Sequence, residues 1–335
     1  EAAATRYIFA RMNPILKQLF VKDDFVNLEH QNFEGAKIEP RYYVPVLPML
    51  AINGSDGVSI GYAQKILPRD PAQIIKWVQQ RAEGAKITAR LTPHWKGMKC
   101  KVVKGENEGQ WEIHGSFTRK TKHRITIDAL PVGYTLKQYQ AVLEKLVDDK
   151  VIKDYEDFSD NDEFEFEIQV DRSFGERTDE WIMTKLKLIK KVTENFTCID
   201  ENNKIVIFDS LKELLEAWYV KRIEYNDKRK QHLLASMQED MDYTNARAKF
   251  IQGVVDGDIE LRNAKETAVI AQAEAYDSVL QGRVKGFLGL PMRSLTTEEI
   301  AKLKAKAKAL KSEITEYKKK TFEDILIQDL DVINF

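Results

Sequence analysis

At 335 residues the chain is too long for one small core and is expected to fold as two or three domains, with 43% hydrophobic residues to fill them and 31% charged residues to solvate long helices. A formal net charge of −1 hides a basic stretch, Lys86 to Arg124, and an acidic one, Asp148 to Glu180, so a localised polyanion site is expected, with a solvated sheet face as the plainer reading. Two cysteines without a CxxC motif exclude a disulfide scaffold, and no apolar run nears the roughly 20 residues of a bilayer span.

The chain opens at Glu1 in mid-pattern, without an initiator methionine, and is expected to be a piece of a longer subunit. Ile8, Phe9, Met12, Ile15, Leu16, Leu19 and Phe20 recur at helical spacing, with Pro14 starting or breaking the helix. Asp23-Asp24 and Asn27 to Gly35 are polar enough to predict a linker. Residues 38–208 then read as mixed α and β. Pro71 to Arg81 is a helix with proline in its first turn. Lys99 to Val103, Gln110 to Arg119 and Arg124 to Leu130 alternate as antiparallel strands, turning at Gly105 to Gly109. Thr135 to Val147 is a helix. Glu163 to Val170 alternates strictly and predicts a half-buried strand. Cys198 to Phe208 is a hairpin about Glu201 to Asn203.

At Ser210 the pattern changes. Ser210-Leu-Lys-Glu213 is a capping box, and neither proline nor glycine follows until Gly253, so a helix of about 60 Å is expected at 1.5 Å per residue. Thr296-Thr-Glu-Glu299 is a second such box. It opens Ile300, Leu303, Ala307, Leu310, Ile314 and Tyr317, a heptad seam. These long helices predict an antiparallel coiled coil with a small helical knob at its tip. Gly282, Gly286, Gly289 and Pro291 supply the knob's turns, and Phe287, Leu288, Leu290 and Met292 an apolar patch.

Chemistry is harder to place from residue type. There is no GxxxxGK[ST] phosphate loop. The five histidines show no metal-ligand spacing, and the acidic run Asp160 to Glu165 lacks EF-hand spacing. What singles out chemistry is a set of blocks in order. They are Arg6-Tyr7, the proline-rich approach Glu39 to Pro48, the glycine-punctuated run Ala51 to Gly61, then Tyr62 to Pro68, Trp218 to Lys230, and Leu288 to Thr296. Their order and spacing resemble the DNA breakage-reunion subunit of type IIA DNA topoisomerases, nearest to its T4-like bacteriophage branch, over almost the whole chain.

The resemblance implies an α+β, multidomain fold. Residues 1–30 would be the end of a winged-helix catalytic domain and 31–208 a tower domain that binds DNA arms. Residues 209–260 and 296–335 would form the antiparallel coiled coil, and 261–295 a C-gate dimerisation knob. It implies that Tyr7 attacks a backbone phosphate, leaving a 5′-phosphotyrosyl link and a free 3′-hydroxyl. Arg6 would neutralise charge on the transferring phosphate. A free phenol, with pKa near 10, needs such activation. Asn53, Ser55 and Val58 would touch DNA, Val58 wedging between base pairs at a bend; taken alone, the same run reads as a buried loop with glycine turns. Lys120, Lys122 and Arg124 would meet phosphates, and Phe287, Leu288, Leu290 and Met292 would form the dimer gate. No metal ligand is expected in this chain. Mg2+ would sit on a partner Toprim domain and ATP on a partner ATPase subunit, giving double-stranded DNA, a second copy of the chain and ATPase/Toprim subunits as partners. The expected setting is the cytoplasm, the host's if the chain is phage-encoded. The family's histidine and basic residues upstream of the tyrosine are missing, so cleavage by this chain alone is not expected. The competing reading is a non-catalytic DNA-binding and coiled-coil scaffolding protein.

Overall fold

The computed structural model describes residues 9–160 and 163–334, which form a mixed α/β structure. The described chain falls into two compact units. One joins the residues up to Val44 with Arg222–Val332; the other is Pro45–Lys221 with the extreme C-terminus.

The first unit begins with a single helical turn, α1 (Leu16–Leu19), a 3-10 turn (Lys22–Asn27) and a hairpin, β1 (His30–Phe33) with β2 (Ala36–Pro40). Among the described residues, the helix expected over Ile8 to Phe20 is confined to those after Pro14, and Ile8 lies outside the described residues. The expected linker is not one. Asp24 is 3% exposed and Asn27 to Gly35 runs into the hairpin, which turns on Glu34 and Gly35, both at positive φ.

The second unit follows in chain order. It has α2 (Met49–Asn53), the hairpin β3 (Ser55–Ser59) and β4 (Tyr62–Ile66), and α3 (Pro71–Ala82), capped by Asp70. Next come β5 (Lys101–Lys104), β6 (Gln110–His114), β7 (Ser116–Thr121), β8 (Arg124–Ala129), α4 (Leu136–Asp148), β9 (Asp154–Asp157) and β10 (Phe166–Gln169). Two short helices, α5 (Arg172–Gly175) and α6 (Asp179–Lys185), lead to β11 (Ile189–Thr193), β12 (Phe196–Ile199) and β13 (Ile205–Phe208). Strands β7-β8-β10-β9 form one antiparallel sheet and β11-β6-β5 another. A hydrophobic core of this unit lies where Ile125, Ile127, Phe166 and Ile168 meet Tyr139 and Leu143 of α4 and Ile182 of α6.

The single strand expected over Gln110 to Arg119 is thus two strands in two sheets. Gly115 is the joint. A β-carbon there would collide with the Ala129 carbonyl oxygen, closer than any side chain tolerates.

Helix α7 (Leu211–Asp256) is continuous over 46 residues. The Glu213 amide donates to Ser210 Oγ, but the Glu213 carboxylate reaches back to the Asp209 amide rather than to that of Ser210. The later part of α7 belongs to the first unit and receives α8 (Glu266–Tyr276), α9 (Thr297–Lys319) and α10 (Phe322–Asp331). Helix α9 returns antiparallel. Ile300 and Leu303 pack on Ala248 and Ile251, and at its far end Lys230 Nζ donates to the Lys318 carbonyl. The heptad run stops at Lys319, because Thr321 and Asp324 form a reciprocal capping box that starts α10 afresh.

The buried cations of this unit explain the buried Asp24. Arg222, fully buried, donates to Asp24 Oδ2 at 2.8 Å, to the Val44 carbonyl at 3.0 Å and to Asn226 Oδ1 at 2.6 Å. Arg229 pairs with Asp329. Burial pushes the Arg222 pKa down while Asp24 opposes it, so the aspartate compensates a guanidinium charge held out of water.

Candidate functional site

The exposed hairpin of the second unit is built from a strict local geometry. Helix α2 ends at Gly54, whose φ is +69°; a β-carbon there would come within 2.6 Å of the Ile66 carbonyl oxygen and 2.8 Å of Pro68 N. Only glycine lets the chain leave the helix so close to the returning strand. Strands β3 and β4 then pair in register, Val58 opposite Ala63 and Ser59 opposite Tyr62, about a turn with Gly61 at φ +81°. The result carries Val58 at 88%, Ile60 at 100% and Tyr62 at 47% exposure. The sequence run is therefore a projecting two-stranded hairpin, not a buried loop. Large apolar side chains held in water at a hairpin tip mark a contact surface.

Ser55 and Asn53 lie at the hairpin root. Ser55 Oγ donates to Gln64 Oε1, and Lys65 Nζ pairs with Asp56 at 2.7 Å. A cleft of about 440 Å³ opens there, lined by Asn53, Ser55, Lys65, Trp95, Lys190 and Val192 among others. The root is fixed by a buried ion pair absent from the sequence reading. Arg69 forks onto both oxygens of Glu194, at 2.8 and 2.7 Å, and Glu194 also accepts from the Leu67 amide and from Trp111 Nε1. Arg69 and Glu194 lie 125 residues apart, so no local pattern could have announced them.

The expected cationic patch is present but neutralised. Lys120 and Arg124 share the Glu167 carboxylate at 3.2 and 2.8 Å, and Lys122 meets Glu176 at 3.0 Å. Lys122 and Arg172 hold the Glu176 carboxyl below the usual carboxylate range. By contrast Lys86, Arg90 and Lys96 are exposed, and among the described residues none of their side chains forms an ion pair. Charges without an internal counter-ion are the better phosphate ligands, since nothing must be displaced.

The expected gate residues separate in the same way. Phe287 is 1% exposed and belongs to a core with Ala246, Phe250, Ile259, Val269 and Leu280. The apolar cluster is thus large enough to make a core of its own, and Phe287 is not part of an open patch. Leu288 and Leu290 are half-buried against it, while Met292 is 87% exposed. Arg6 and Tyr7, the expected catalytic pair, lie outside the described residues. Among the described residues no group of three or more His, Cys, Asp or Glu side chains is placed to hold a cation, and no helix is long and apolar enough to cross a membrane. Burial pushes the Cys198 thiol up, which keeps it protonated and unreactive.

Comparison with known proteins fits this geometry. The family model for the A-type subunits of DNA gyrase/topoisomerase IV matches residues 1–331. DNA topoisomerase 2 of Penicillium chrysogenum is 26% identical over 371 residues, covering 100% of this chain and 23% of that protein. The DNA topoisomerase medium subunit of enterobacteria phage T4 is 28% identical over 331 residues, covering 96% of this chain and 72% of that protein. The solved DNA-binding, cleavage and re-ligation domain of Plasmodium falciparum topoisomerase II shares the fold, with a TM-score of 0.80 at 23% identity over 99% of this chain and 49% of that one. The chain spans about a quarter of the length of the Penicillium protein. With residues 1–331 matched, the chain belongs to the family of DNA gyrase/topoisomerase IV A-type subunits.

Proposed function

We propose that this chain is the DNA-cleaving part of a type IIA topoisomerase, acting with partner subunits that bind ATP and hold Mg2+ on a Toprim domain. Family membership across residues 1–331 carries the reading and favours it over a non-catalytic scaffold. Tyr7 attacks a backbone phosphate of double-stranded DNA, the sugar 3′-oxygen leaves, and a phosphotyrosyl ester conserves the bond for religation. Arg6 steadies the charge that develops on the phosphate. When bound, the metal supplies Lewis-acid activation. The described residues of this chain offer no cluster to hold it, so no step is assigned to a metal on this chain.

Val58, at 88% exposure on its hairpin, wedges between base pairs, and the bend brings flanking DNA onto the surrounding basic surface. Asn53 and Ser55 lie beside the phosphates at the hairpin root. Lys86, Arg90 and Lys96 hold DNA through phosphates alongside the more screened Lys120, Lys122 and Arg124. Residues 1–30 close a winged-helix domain, 31–208 form the tower, 209–260 and 296–335 the coiled coil, and 261–295 the gate. Two copies pair there through a surface centred on Met292 with Leu288 and Leu290, and the assembly works in the cytoplasm of the cell that makes it.

The deciding experiment uses the complete enzyme and 3′-end-labelled DNA, trapped with denaturant and run on a denaturing gel. Label should travel with this polypeptide, and Tyr7→Phe should abolish that transfer while leaving DNA binding intact. Covalent transfer by the phenylalanine variant would overturn the assignment.

A further inference from the structure

The joint between the Val58 hairpin and its neighbour strand passes from backbone to side-chain hydrogen bonds. Lys65 of β4 and Asn195 exchange both backbone hydrogen bonds, at 2.9 and 2.8 Å, in an isolated antiparallel bridge. In a continuing ladder the next such pair, two residues along each strand, would be Ala63 with Thr197. That pair is replaced. The Thr197 amide donates to Asn195 Oδ1 at 3.0 Å, and the Thr197 carbonyl accepts Gln64 Nε2 at 2.7 Å. Gln64 also contacts Cys198 Sγ at 3.6 Å and accepts Ser55 Oγ. Backbone pairing therefore ends one step early. Beyond Lys65 the half-buried carboxamide of Gln64 touches β3, through Ser55, and β12 at once.

We infer that Gln64 is a positioning residue for the Val58 hairpin: its carboxamide ties β3 and β4 to Thr197 of β12 and so fixes the angle at which the exposed tip meets DNA. The inference rests on the reading of Val58 as a wedge. Pairing by the backbone out to Ala63 would lay the hairpin along β12; no pairing beyond Lys65 would leave its angle free. A single side-chain strut gives a defined angle, because each amide hydrogen bond is directional. Gln64 acts without touching DNA itself. Its side chain lies on the hairpin face shared with Ser55, and Val58 alternates to the other.

The test is Gln64→Met in the complete enzyme, which keeps the length of the side chain and removes both donor and acceptor. Gln64→Glu accompanies it, keeping an acceptor for Ser55 and losing the donor to Thr197. Without DNA, hydrogen exchange at the Ser55–Ile66 amides should quicken by at least about 2- to 10-fold in both variants, as expected for the hydrogen bond to Thr197 that both lose, with exchange in α4 unchanged. With DNA, the bent fraction read by fluorescence transfer and the rate of cleavage should fall in the same proportion, while DNA affinity moves less than about twofold. Hydrogen exchange at wild-type rates in both variants would overturn the clamp. A loosened hairpin that bends DNA as well as wild type would overturn its positioning role. Val58→Ala runs alongside: if it too bends DNA normally, the wedge reading fails and the positioning role with it, whereas normal bending by the Gln64 variants alone condemns only the latter.

Discussion

Arg69 and Glu194 lock together through two parallel hydrogen bonds of 2.8 and 2.7 Å, with both side chains 1% exposed. One residue before Asn195 and three after Ile66, this pair anchors the root of the hairpin from both strands. Glu194→Ala would strand a dry guanidinium together with the Leu67 amide and the Trp111 indole. Removing one partner of a buried pair costs about 3–5 kcal/mol. Denaturant unfolding of the variant should show a loss of that size; a loss under about 1 kcal/mol would mean that water reaches the site.

Val58→Ala should leave stability within about 0.5 kcal/mol of wild type, as for other surface changes, because the side chain is 88% exposed. DNA bending and cleavage should both fall. A melting curve and fluorescence transfer on bent DNA separate these effects, and a large loss of stability with normal bending would reverse the assignment.

Cation placement sets the salt dependence. Replacing Lys86, Arg90 and Lys96 together by glutamine should flatten the slope of log K against log salt by about 2–3, since each phosphate contact contributes close to one. The same change at Lys120, Lys122 and Arg124 should flatten it less, because Glu167 and Glu176 already neutralise those groups. Titrations at several salt concentrations compare the two sets directly. Equal slopes would show that the internal carboxylates yield to DNA.

Phe287→Ala should destabilise the unit that contains α8 by about 3–5 kcal/mol, the cost of a buried aromatic, measured by denaturant unfolding. Met292→Glu should leave that folding untouched and weaken self-association, read by sedimentation equilibrium. A fully dimeric Met292→Glu protein would move the gate surface elsewhere.

Asp277 offers a pH handle. The Val279 amide and then Lys249, at 3.2 Å, hold its carboxyl below the usual carboxylate range. A folded pKa below the unfolded one means that the unfolded chain binds the extra proton. The stabilisation is therefore complete above the ordinary aspartate pKa of about 4 and disappears as pH falls through the lower folded value. Asp277→Asn should flatten the acid limb of the stability curve in that window, monitored by circular dichroism melts from neutral pH downward.

What the sequence disclosed was whatever is encoded locally. Helices α3 and α4 and the β12–β13 hairpin carry their own caps and turns: Asp70 with Pro71, the Thr135–Gln138 box, and Asn203 at positive φ. Partners distant in sequence were illegible. Asp24 looked like linker because Arg222 lies 198 residues away. Lys120 looked like a free cation because Glu167 is 47 residues on. Phe287 looked stranded because its core comes from α7 and α8. Periodicity reports which face of an element is apolar; it carries nothing about what covers that face. The glycine spacing alone reads as a buried loop and only the resemblance implies an exposed Val58, whereas the hairpin root, built from Arg69, Glu194, Gln64 and Thr197, has no local signature.

Gly115 sets the mechanics of the second unit. Its amide is bonded to the Leu188 carbonyl, and Ala129, Pro131 and Leu188 crowd the space where a side chain would begin. Strands β6 and β7 thus share a joint one residue long with no slack. A pull on the sheet of β7 and β8 is passed to the sheet of β5, β6 and β11 without a spring between them. Under the proposed wedge reading, load taken up by one sheet on bending DNA would reach the other, where β11 runs on to Glu194 and the root of the hairpin.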